Sequence, residues 1–312
     1  MTTPGRELRY APPVEAGPSS LTEAQLAEFR ERGFLAIEHL ACEADVIYVR
    51  GVIEHLFNIK AGHNEGAYFN FAGADDDPNA PHLPQILRPC NYADGLRKTA
   101  LYRQAYAIAR QILGPEARFT FDHALNKPAL IGPATPWHQD ESFRHPIFDY
   151  EEISIWVPLQ PVGDANGCME FIPGSHRGEV LAHRSPNNDR RAHALECCGD
   201  FDLSQAISCP LPAGGCTIHT ARTLHGTGLN RSPAPRLAYV LSFGTPPRPA
   251  AQPRTFPWLD EKDTAQLRRQ RGWMRRTGIF VKGWRTLKRT EPQDYMKLVS
   301  KLVRKAMRQR WK

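Results

Sequence analysis

Apolar residues follow a helical period through the first third of the chain. Gln25 stands three residues after Thr22, which is the spacing of a capping box at a helix start. The pattern predicts a helix there, a strand in FLAIEHL, a second helix over residues 45–57 and a third over 96–113 that ends at Gly114-Pro115.

From Arg118 onward the pattern changes to short runs in which apolar and polar residues alternate. The runs are FTFDHALNK, PWHQDES, ISIWVPLQPV, CMEFIPGSH, CTIHTARTLHG and RLAYVLSF. Turn-forming pairs such as Gly132-Pro133 and Gly214-Gly215 separate them. Many short strands with such turns predict a β-sandwich or a jelly roll, so the expected fold class is α+β and mainly β.

Three parts of the chain lack this periodicity. Residues 1–20 are rich in Pro, Gly and Ser and are predicted to be disordered. Residues 61–84 read as a long loop and residues 181–210 as a polar, irregular insertion, and both are candidate lids over a substrate. The expected organisation is a disordered segment 1–20, a folded domain 21–250 and a helical extension 251–312.

Composition narrows the class of protein. The chain has 312 residues, of which 41% are hydrophobic and 23% charged. No apolar run reaches the roughly 18 residues of a membrane span, and no signal peptide is recognised, so a cytoplasmic protein is expected. Seven cysteines without a CxxC pair argue against a disulfide framework and a thiolate zinc site. A redox role for Cys197-Cys198 is the less favoured reading.

The positive charge is concentrated at the end of the chain, although the net charge is only +7. Residues 251–312 hold 18 Lys and Arg against 5 Asp and Glu. Residues 294–312 form an amphipathic stripe, which is favoured to pack on the chain's own domain. Peripheral membrane contact is less favoured, and nucleic-acid binding is unlikely because no recognisable module accompanies the basic residues.

The stretch PWHQDESF raises the question of a metal site. On a strand, side chains two residues apart point the same way, so His138 and Asp140 can bind one ion while Gln139 faces away. Taken alone, the pair fits the polar face of an ordinary strand better than it fits a metal site. His219 and His225 are candidates for a third ligand.

Arg236 lies eleven residues after His225, in an apolar run whose alternation is expected to bury every second side chain. A buried Arg needs an anionic partner, and its planar guanidinium suits a carboxylate. The far carboxylate of 2-oxoglutarate is such a partner.

The order of NKPALIGPATPWHQD, ISIWVPLQPVGDANGCMEFIPGSHRG and LHGTGLNRSPAPRLAYVLSF resembles the phytanoyl-CoA dioxygenase family of Fe(II)/2-oxoglutarate oxygenases, over residues 21–243. The resemblance implies a double-stranded β-helix, that is, a cupin-like jelly roll, flanked by N-terminal helices. It also implies Fe(II), 2-oxoglutarate and O2, with His138, Asp140 and His225 as iron ligands and Arg236 on the distal carboxylate of the cosubstrate.

Further positions match the family's cosubstrate pocket: Thr227, Lys127, Trp156 and, more weakly, His123. Lys127 could instead be a solvated loop lysine, and Trp156 could be core packing. His219 is expected beside the ligands or in a structural role, and His176 in a turn. A substrate contact of His145 is the less favoured reading, as is a pocket-facing position of His176. Gly214-Gly215 departs from the family's usual Gly-Asp, which affects the turn and not the ligands.

The resemblance predicts an oxidoreductase that hydroxylates a small-molecule metabolite, in specialised biosynthesis. Related halogenases have a small residue in place of the carboxylate, so Asp140 argues for hydroxylation, desaturation or ring closure. The main alternative is a cupin-like metal-binding protein without 2-oxoglutarate chemistry, which has no need of Arg236. A second alternative is an oxygenase that uses the basic tail to reach a membrane-bound or carrier-bound substrate.

Overall fold

The computed structural model describes residues 20–252 and 254–268. Its helices are α1 (Glu23–Arg32), α2 (Glu43–Asn58), α3 (Ala100–Leu113) and α4 (Pro257–Glu261). The capping box of α1 is confirmed, because the Thr22 side chain accepts from the Gln25 amide and the Gln25 side chain accepts from the Thr22 amide. Gly33 ends α1 at φ +81°, where a Cβ atom would meet the ring of His176.

The third helix begins later than predicted. Residues Asp94–Lys98 form a separate 3-10 helix, and α3 starts only after Thr99, whose hydroxyl accepts from the Tyr102 amide. Thr99 is therefore the N-cap of α3. Its side-chain oxygen accepts a hydrogen bond from an amide of the first turn, which has no carbonyl partner within the helix. The predicted end at Gly114 is confirmed.

The described strands follow α1, and most of them are short. They are β1 (Phe34–Ile37), β2 (Tyr68–Asn70), β3 (Pro84–Leu87), β4 (Arg118–Lys127), β5 (Thr135–His138), β6 (Phe148–Asp149), β7 (Glu152–Pro158), β8 (Met169–Phe171), β9 (His183–Arg184), β10 (Glu196–Cys197), β11 (Ile207–Cys209), β12 (Cys216–Thr220), β13 (His225–Thr227), β14 (Arg236–Gly244) and β15 (Arg248–Pro249). The chain therefore has a mixed, sheet-rich fold.

Two antiparallel sheets contain most of these strands. The larger has seven strands in the order β1-β12-β7-β14-β4-β3-β2, and the smaller has four in the order β11-β8-β13-β5. A buried cluster that includes Trp156 and Val240 from the large sheet and Met169 and Phe171 from the small one lies between them. The two sheets therefore share a core.

The large sheet is covered on both faces. On β7, Ile153, Ile155 and Val157 pack with residues of α2 and α3, while Trp156 points to the cluster between the sheets. All nine residues of β14 are buried for the same reason. The prediction that every second side chain of this run would be buried is therefore wrong, because it assumed one solvent-exposed face.

The segments predicted to be irregular carry some regular structure. Residues 61–84 include β2, which pairs with β3, so the prediction of an uninterrupted loop is wrong. Residues 181–210 contain the β9-β10 pair and the whole of β11. Three-residue strands leave too few positions for alternation to be recognised in a sequence.

The described part of the C-terminal segment packs on the loop that follows Asp140. Glu141 is buried and receives hydrogen bonds from the guanidinium groups of Arg222 and Arg254. The Trp258 indole donates to the Ser142 carbonyl. Residues 1–19 and 269–312, including the predicted amphipathic stripe, lie outside the described residues. Within the described ranges, no helix is long and apolar enough to cross a membrane.

Helices α2 and α3 are joined by a buried carboxylate. Asp45 in the first turn of α2 accepts from the backbone amides of Ala100 and Leu101, at 3.3 and 2.9 Å. These amides belong to the first turn of α3 and have no partner within that helix. The contact fixes the angle at which α3 meets the sheet.

Replacing Asp45 with Ala removes a buried acceptor of two backbone amides, that of Leu101 among them. We expect Asp45→Ala to lower the free energy of unfolding by about 1–3 kcal/mol, measured by urea denaturation. Asp94→Ala is the control, because Asp94 is 85% exposed and pairs only at the surface with Lys98; its loss should stay within about 0.5 kcal/mol. Equal losses in the two variants would contradict this role.

Candidate metal and cosubstrate site

Pairing of two short strands brings the predicted ligands together. His225 begins β13 and lies opposite His138, the last residue of β5. Asp140 follows two residues later, at the start of the 3-10 helix Asp140–Phe143. One ligand atom from each of the three residues lies within 4.8 Å of the others. The structure therefore gathers His138, Asp140 and His225 as a group that could hold a metal ion.

Backbone carbonyls orient both imidazoles. Nδ1 of His138 lies 2.8 Å from the Pro136 carbonyl, and Nδ1 of His225 lies 2.8 Å from the Thr223 carbonyl. A carbonyl only accepts, so each Nδ1 carries the proton and each Nε2 is left as a lone pair. The Nε2 atoms lie 3.6 and 3.7 Å from Oδ1 of Asp140.

The second carboxylate oxygen of Asp140 is held by other groups. Ser154 Oγ donates to Oδ2 at 2.8 Å, and Nε2 of His219 lies 3.4 Å from the same oxygen. Burial favours the neutral acid, but the adjacent His138, His219 and His225 outweigh it and hold the pKa of Asp140 well below its usual range. The carboxylate is thus charged, with Oδ1 directed at the two ligand histidines.

The structure distinguishes His225 from His219. His219 lies on β12 of the large sheet, opposite Ser154, and contacts Asp140 from the side of Oδ2. His219 is not in the three-residue group. This location agrees with the expectation that His219 lies beside the ligands.

Gln139 faces away from the group, as the strand geometry predicts. Its side chain accepts from the Leu181 amide and donates to the Arg222 carbonyl, and its backbone amide donates to Nε2 of His183. These bonds tie the ligand segment to the 181–210 region.

Arg236 begins β14 and is 2% exposed. Its guanidinium carbon lies 5.3 Å from the Trp156 ring centroid. Nε and Nη1 of Arg236 have no hydrogen-bond partner in the described chain. Burial lowers the pKa of Arg236 to about 9, which still leaves the group charged at neutral pH. A buried cation with free donors has the chemistry to bind an anion.

The other residues predicted for the cosubstrate pocket differ in whether they line the cavity that contains Arg236. Thr227 lines the same cavity, and its buried hydroxyl has no hydrogen-bond partner among the residues that the structure describes. Trp156 lines the cavity as well as packing in the core, so both readings of this residue apply. Lys127 pairs with Arg236 across the strands, but its ammonium donates to the Gly228 carbonyl and the residue does not line the cavity.

Lys127 is fully buried, so the alternative of a solvated loop lysine is wrong. Burial, with the nearby Arg236, lowers the pKa of Lys127 to about 6. A lysine that is largely neutral next to a charged arginine avoids placing two unpaired cations in one apolar region.

A cavity of about 460 Å³ contains the three-residue group, Arg236 and His123. A larger cavity of about 1020 Å³ lies elsewhere, and none of His138, Asp140 and His225 lines it. His145 and His176 do not line the 460 Å³ cavity; Nε2 of His176 lies 3.2 Å from the Arg30 carbonyl, consistent with its predicted structural role. The 460 Å³ cavity, and not the 1020 Å³ cavity, is therefore the candidate site.

Several residues that line the cavity were not predicted from the sequence. Ser154 lies two positions before Trp156 on β7, so strand alternation could have placed both on the same face. No local signal identifies the remaining ones, which come from separate segments: Phe69, Phe71, Gln85, His193 and Gln266.

A family model described as phytanoyl-CoA dioxygenase (PhyH) matches residues 29–238, more than half of the chain. The chain belongs to the phytanoyl-CoA dioxygenase family. The resemblance found in the sequence is thereby confirmed, and so is the class of enzyme: a non-haem iron dioxygenase that uses Fe(II), 2-oxoglutarate and O2.

Members of the family with known structures or names are similar over most of their length. EvdO2 from Micromonospora carbonacea var. aurantiaca, solved in complex with 2-oxoglutarate, is 33% identical, with 80% of this chain and 99% of that chain covered and a TM-score of 0.67. Ectoine dioxygenase of Bordetella parapertussis is 24% identical, covering 75% of this chain and 81% of its own. Peroxisomal phytanoyl-CoA dioxygenase of Mus musculus is 23% identical, covering 72% and 69%.

His183 is a buried histidine that contacts Gln139, the residue between His138 and Asp140. Its burial leads us to expect that the protein is less stable in acid. His183 donates from Nδ1 to the Leu181 carbonyl and accepts at Nε2 from Gln139, so its neutral form is required. Burial lowers the pKa of His183 to about 4. The folded state therefore binds fewer protons than the unfolded state, and the stabilisation present above about pH 6.5 is lost as pH falls towards 4.

We expect the free energy of unfolding of the metal-free protein to fall by up to about 2 kcal/mol between pH 7 and pH 5 through His183 alone. Urea denaturation at several pH values measures this, and His183→Gln should flatten the dependence. The exposed His39 is a matched control, since His39→Gln should keep the wild-type slope. An unchanged slope in His183→Gln would count against the assignment.

Proposed function

We propose that this dioxygenase hydroxylates a small-molecule metabolite in specialised biosynthesis, with Fe(II) held by His138, Asp140 and His225 and 2-oxoglutarate anchored by Arg236. The observation that carries the proposal is the combination of a His-Asp-His group and an unpartnered buried Arg236 in one cavity. A cupin-like protein without 2-oxoglutarate has no use for that arginine. The domain organisation around the site is proposed to be the double-stranded β-helix, supported by the two facing antiparallel sheets.

The three side chains fit Fe(II). Two neutral imidazoles and one carboxylate on one face are the ligand set of non-haem Fe(II) oxygenases, which keep other positions open. Both Nε2 lone pairs and Oδ1 of Asp140 are directed to the same place. Ser154 holds the second oxygen of Asp140, and such outer partners keep a ligand in its binding orientation.

The far end of the cavity fits 2-oxoglutarate. The free donors of Arg236 match a carboxylate, the Thr227 hydroxyl is available beside it, and Trp156 covers the guanidinium. We propose that these three residues bind the distal carboxylate, and that Lys127 supports Arg236 from the neighbouring strand. When bound, Fe(II) and 2-oxoglutarate supply O2 activation coupled to oxidative decarboxylation of the cosubstrate.

The carboxylate at position 140 supports hydroxylation, or a related desaturation or ring closure, over halogen transfer. Asp140 occupies the place that a halide would need, and the hydrogen bond from Ser154 holds its carboxylate there. The chain's residues otherwise orient the substrate and keep water out. Relatives named as ectoine dioxygenases support a small-molecule substrate.

Anaerobic titration with Fe(II) and 2-oxoglutarate tests the site directly. We expect a weak visible charge-transfer band in the wild type, because both groups bind in adjacent positions, and loss of the band in His225→Ala. His219→Ala should keep the band, since His219 contacts Asp140 only at Oδ2. Absence of the band in the wild type would refute the proposed function, and the reverse behaviour of the two variants would refute the choice of His225.

Arg236→Met should weaken 2-oxoglutarate binding without removing the iron site. Loss of one partner of a buried charge pair costs about 3–5 kcal/mol, so the Kd for 2-oxoglutarate should rise about 100-fold or more. Isothermal titration of the anaerobic Fe(II) protein measures the change. Arg231→Met is the matched control, because Arg231 is exposed and lies five residues before Arg236. Equal affinities in the two variants would place the anchor elsewhere.

A further inference from the structure

The outer part of the active-site cavity has an aromatic wall. We name it the phenylalanine chamber, defined by Phe69, Phe71, Phe121 and Phe143. The rings of Phe71 and Phe143 lie 6.4 Å apart, and the Phe143 ring stands edge-on to the ligand His138 at 5.9 Å. The chamber therefore reaches the position where the proposed iron would sit.

The chain itself supplies partners for two basic side chains at the chamber, Arg144 and His193. Arg144 makes two hydrogen bonds to the carboxylate of Glu152, at 2.9 and 2.8 Å. His193 stacks on Phe69 at 4.0 Å, with its Nε2 3.2 Å from a carboxylate oxygen of Asp75. A charged substrate group entering the chamber would lose its hydration without gaining a free counterion, which is costly.

Gln85 and His123 both line the cavity, and each has a buried side-chain atom without a hydrogen-bond partner among the described residues; Oε1 of Gln85 is the one that only accepts. Gln85 lies on β3, on the same face of the sheet as Leu87, and both line the cavity. Gln85 is 6% exposed, and its Oε1 atom has no hydrogen-bond partner among the described residues. A buried amide oxygen without a donor is destabilising, so its retention in an apolar wall indicates a ligand that donates to it.

We propose that the phenylalanine chamber binds an uncharged, ring-containing substrate that donates a hydrogen bond from a hydroxyl or an N–H group to Oε1 of Gln85. The inference rests on the proposed function and adds the substrate class. Aromatic walls take up an apolar ring by stacking or edge contacts, and Gln85 fixes which edge of the ring faces the iron ligands. A phosphate-bearing carrier does not fit the chamber itself, because the guanidinium of Arg144 is already paired with Glu152.

Four probes of one size test the substrate class: benzyl alcohol, benzyl methyl ether, benzoate and benzylamine. Each is titrated into the full-length protein loaded anaerobically with Fe(II) and 2-oxoglutarate, and the shift of the charge-transfer band is followed. We expect benzyl alcohol to bind about two- to tenfold more tightly than the ether, which cannot donate. Benzoate and benzylamine, both charged, should bind at least about tenfold more weakly than the alcohol.

Gln85→Leu should remove the preference for the alcohol over the ether while leaving the band itself intact. Gln205→Leu is the matched control, because Gln205 is exposed and outside the cavity. Tighter binding of benzoate or benzylamine, no saturable effect of benzyl alcohol up to its solubility, or an unchanged preference in Gln85→Leu would overturn the inference. Absence of the band in the wild type would instead refute the proposed function, so the two failures are distinguishable.

Discussion

The seven-stranded sheet is covered on both faces, and this constraint decides what its polar residues can do. Helices pack against one face and the four-stranded sheet against the other, so a polar side chain on a central strand cannot be hydrated. Ser154 meets this requirement by donating to Asp140, and Lys127 by donating to the Gly228 carbonyl. Nε and Nη1 of Arg236 find no such partner among the described residues. The proposed cosubstrate site is thus the place where the buried sheet leaves a charge for a ligand to satisfy.

Local features of the fold were predictable from the sequence. The capping box at Thr22 and the glycine after α3 depend on neighbours within one turn, so a short stretch of residues is enough to identify them. The start of α3 was not, because the 3-10 helix before it has similar apolar spacing. Strand β2 was also missed, since three residues form a strand only when β3 is present beside them.

In the candidate site too, features that depend on neighbouring residues were predictable, and features that depend on the pairing of distant strands were not. The spacing of His138 and Asp140 permits a metal site, but spacing alone could not choose between His219 and His225. Sheet membership separates these two histidines, because β13 pairs with β5 while β12 pairs with β7. The family resemblance supplied this information before the structure did. Gln85 and Gln266 had no such support, since pairing and packing of distant segments bring them to the cavity.

Glu141 links the residue after Asp140 to the C-terminal segment. Its buried carboxylate is shared between Arg222 and Arg254, and the second of these lies only four residues beyond position 250. A chain shortened at 253 would lose that guanidinium and leave a less compensated negative charge beside a proposed iron ligand. Removing the basic tail to study its contacts would therefore also perturb the catalytic centre, whereas shortening the chain after residue 268 would keep the Glu141–Arg254 pair.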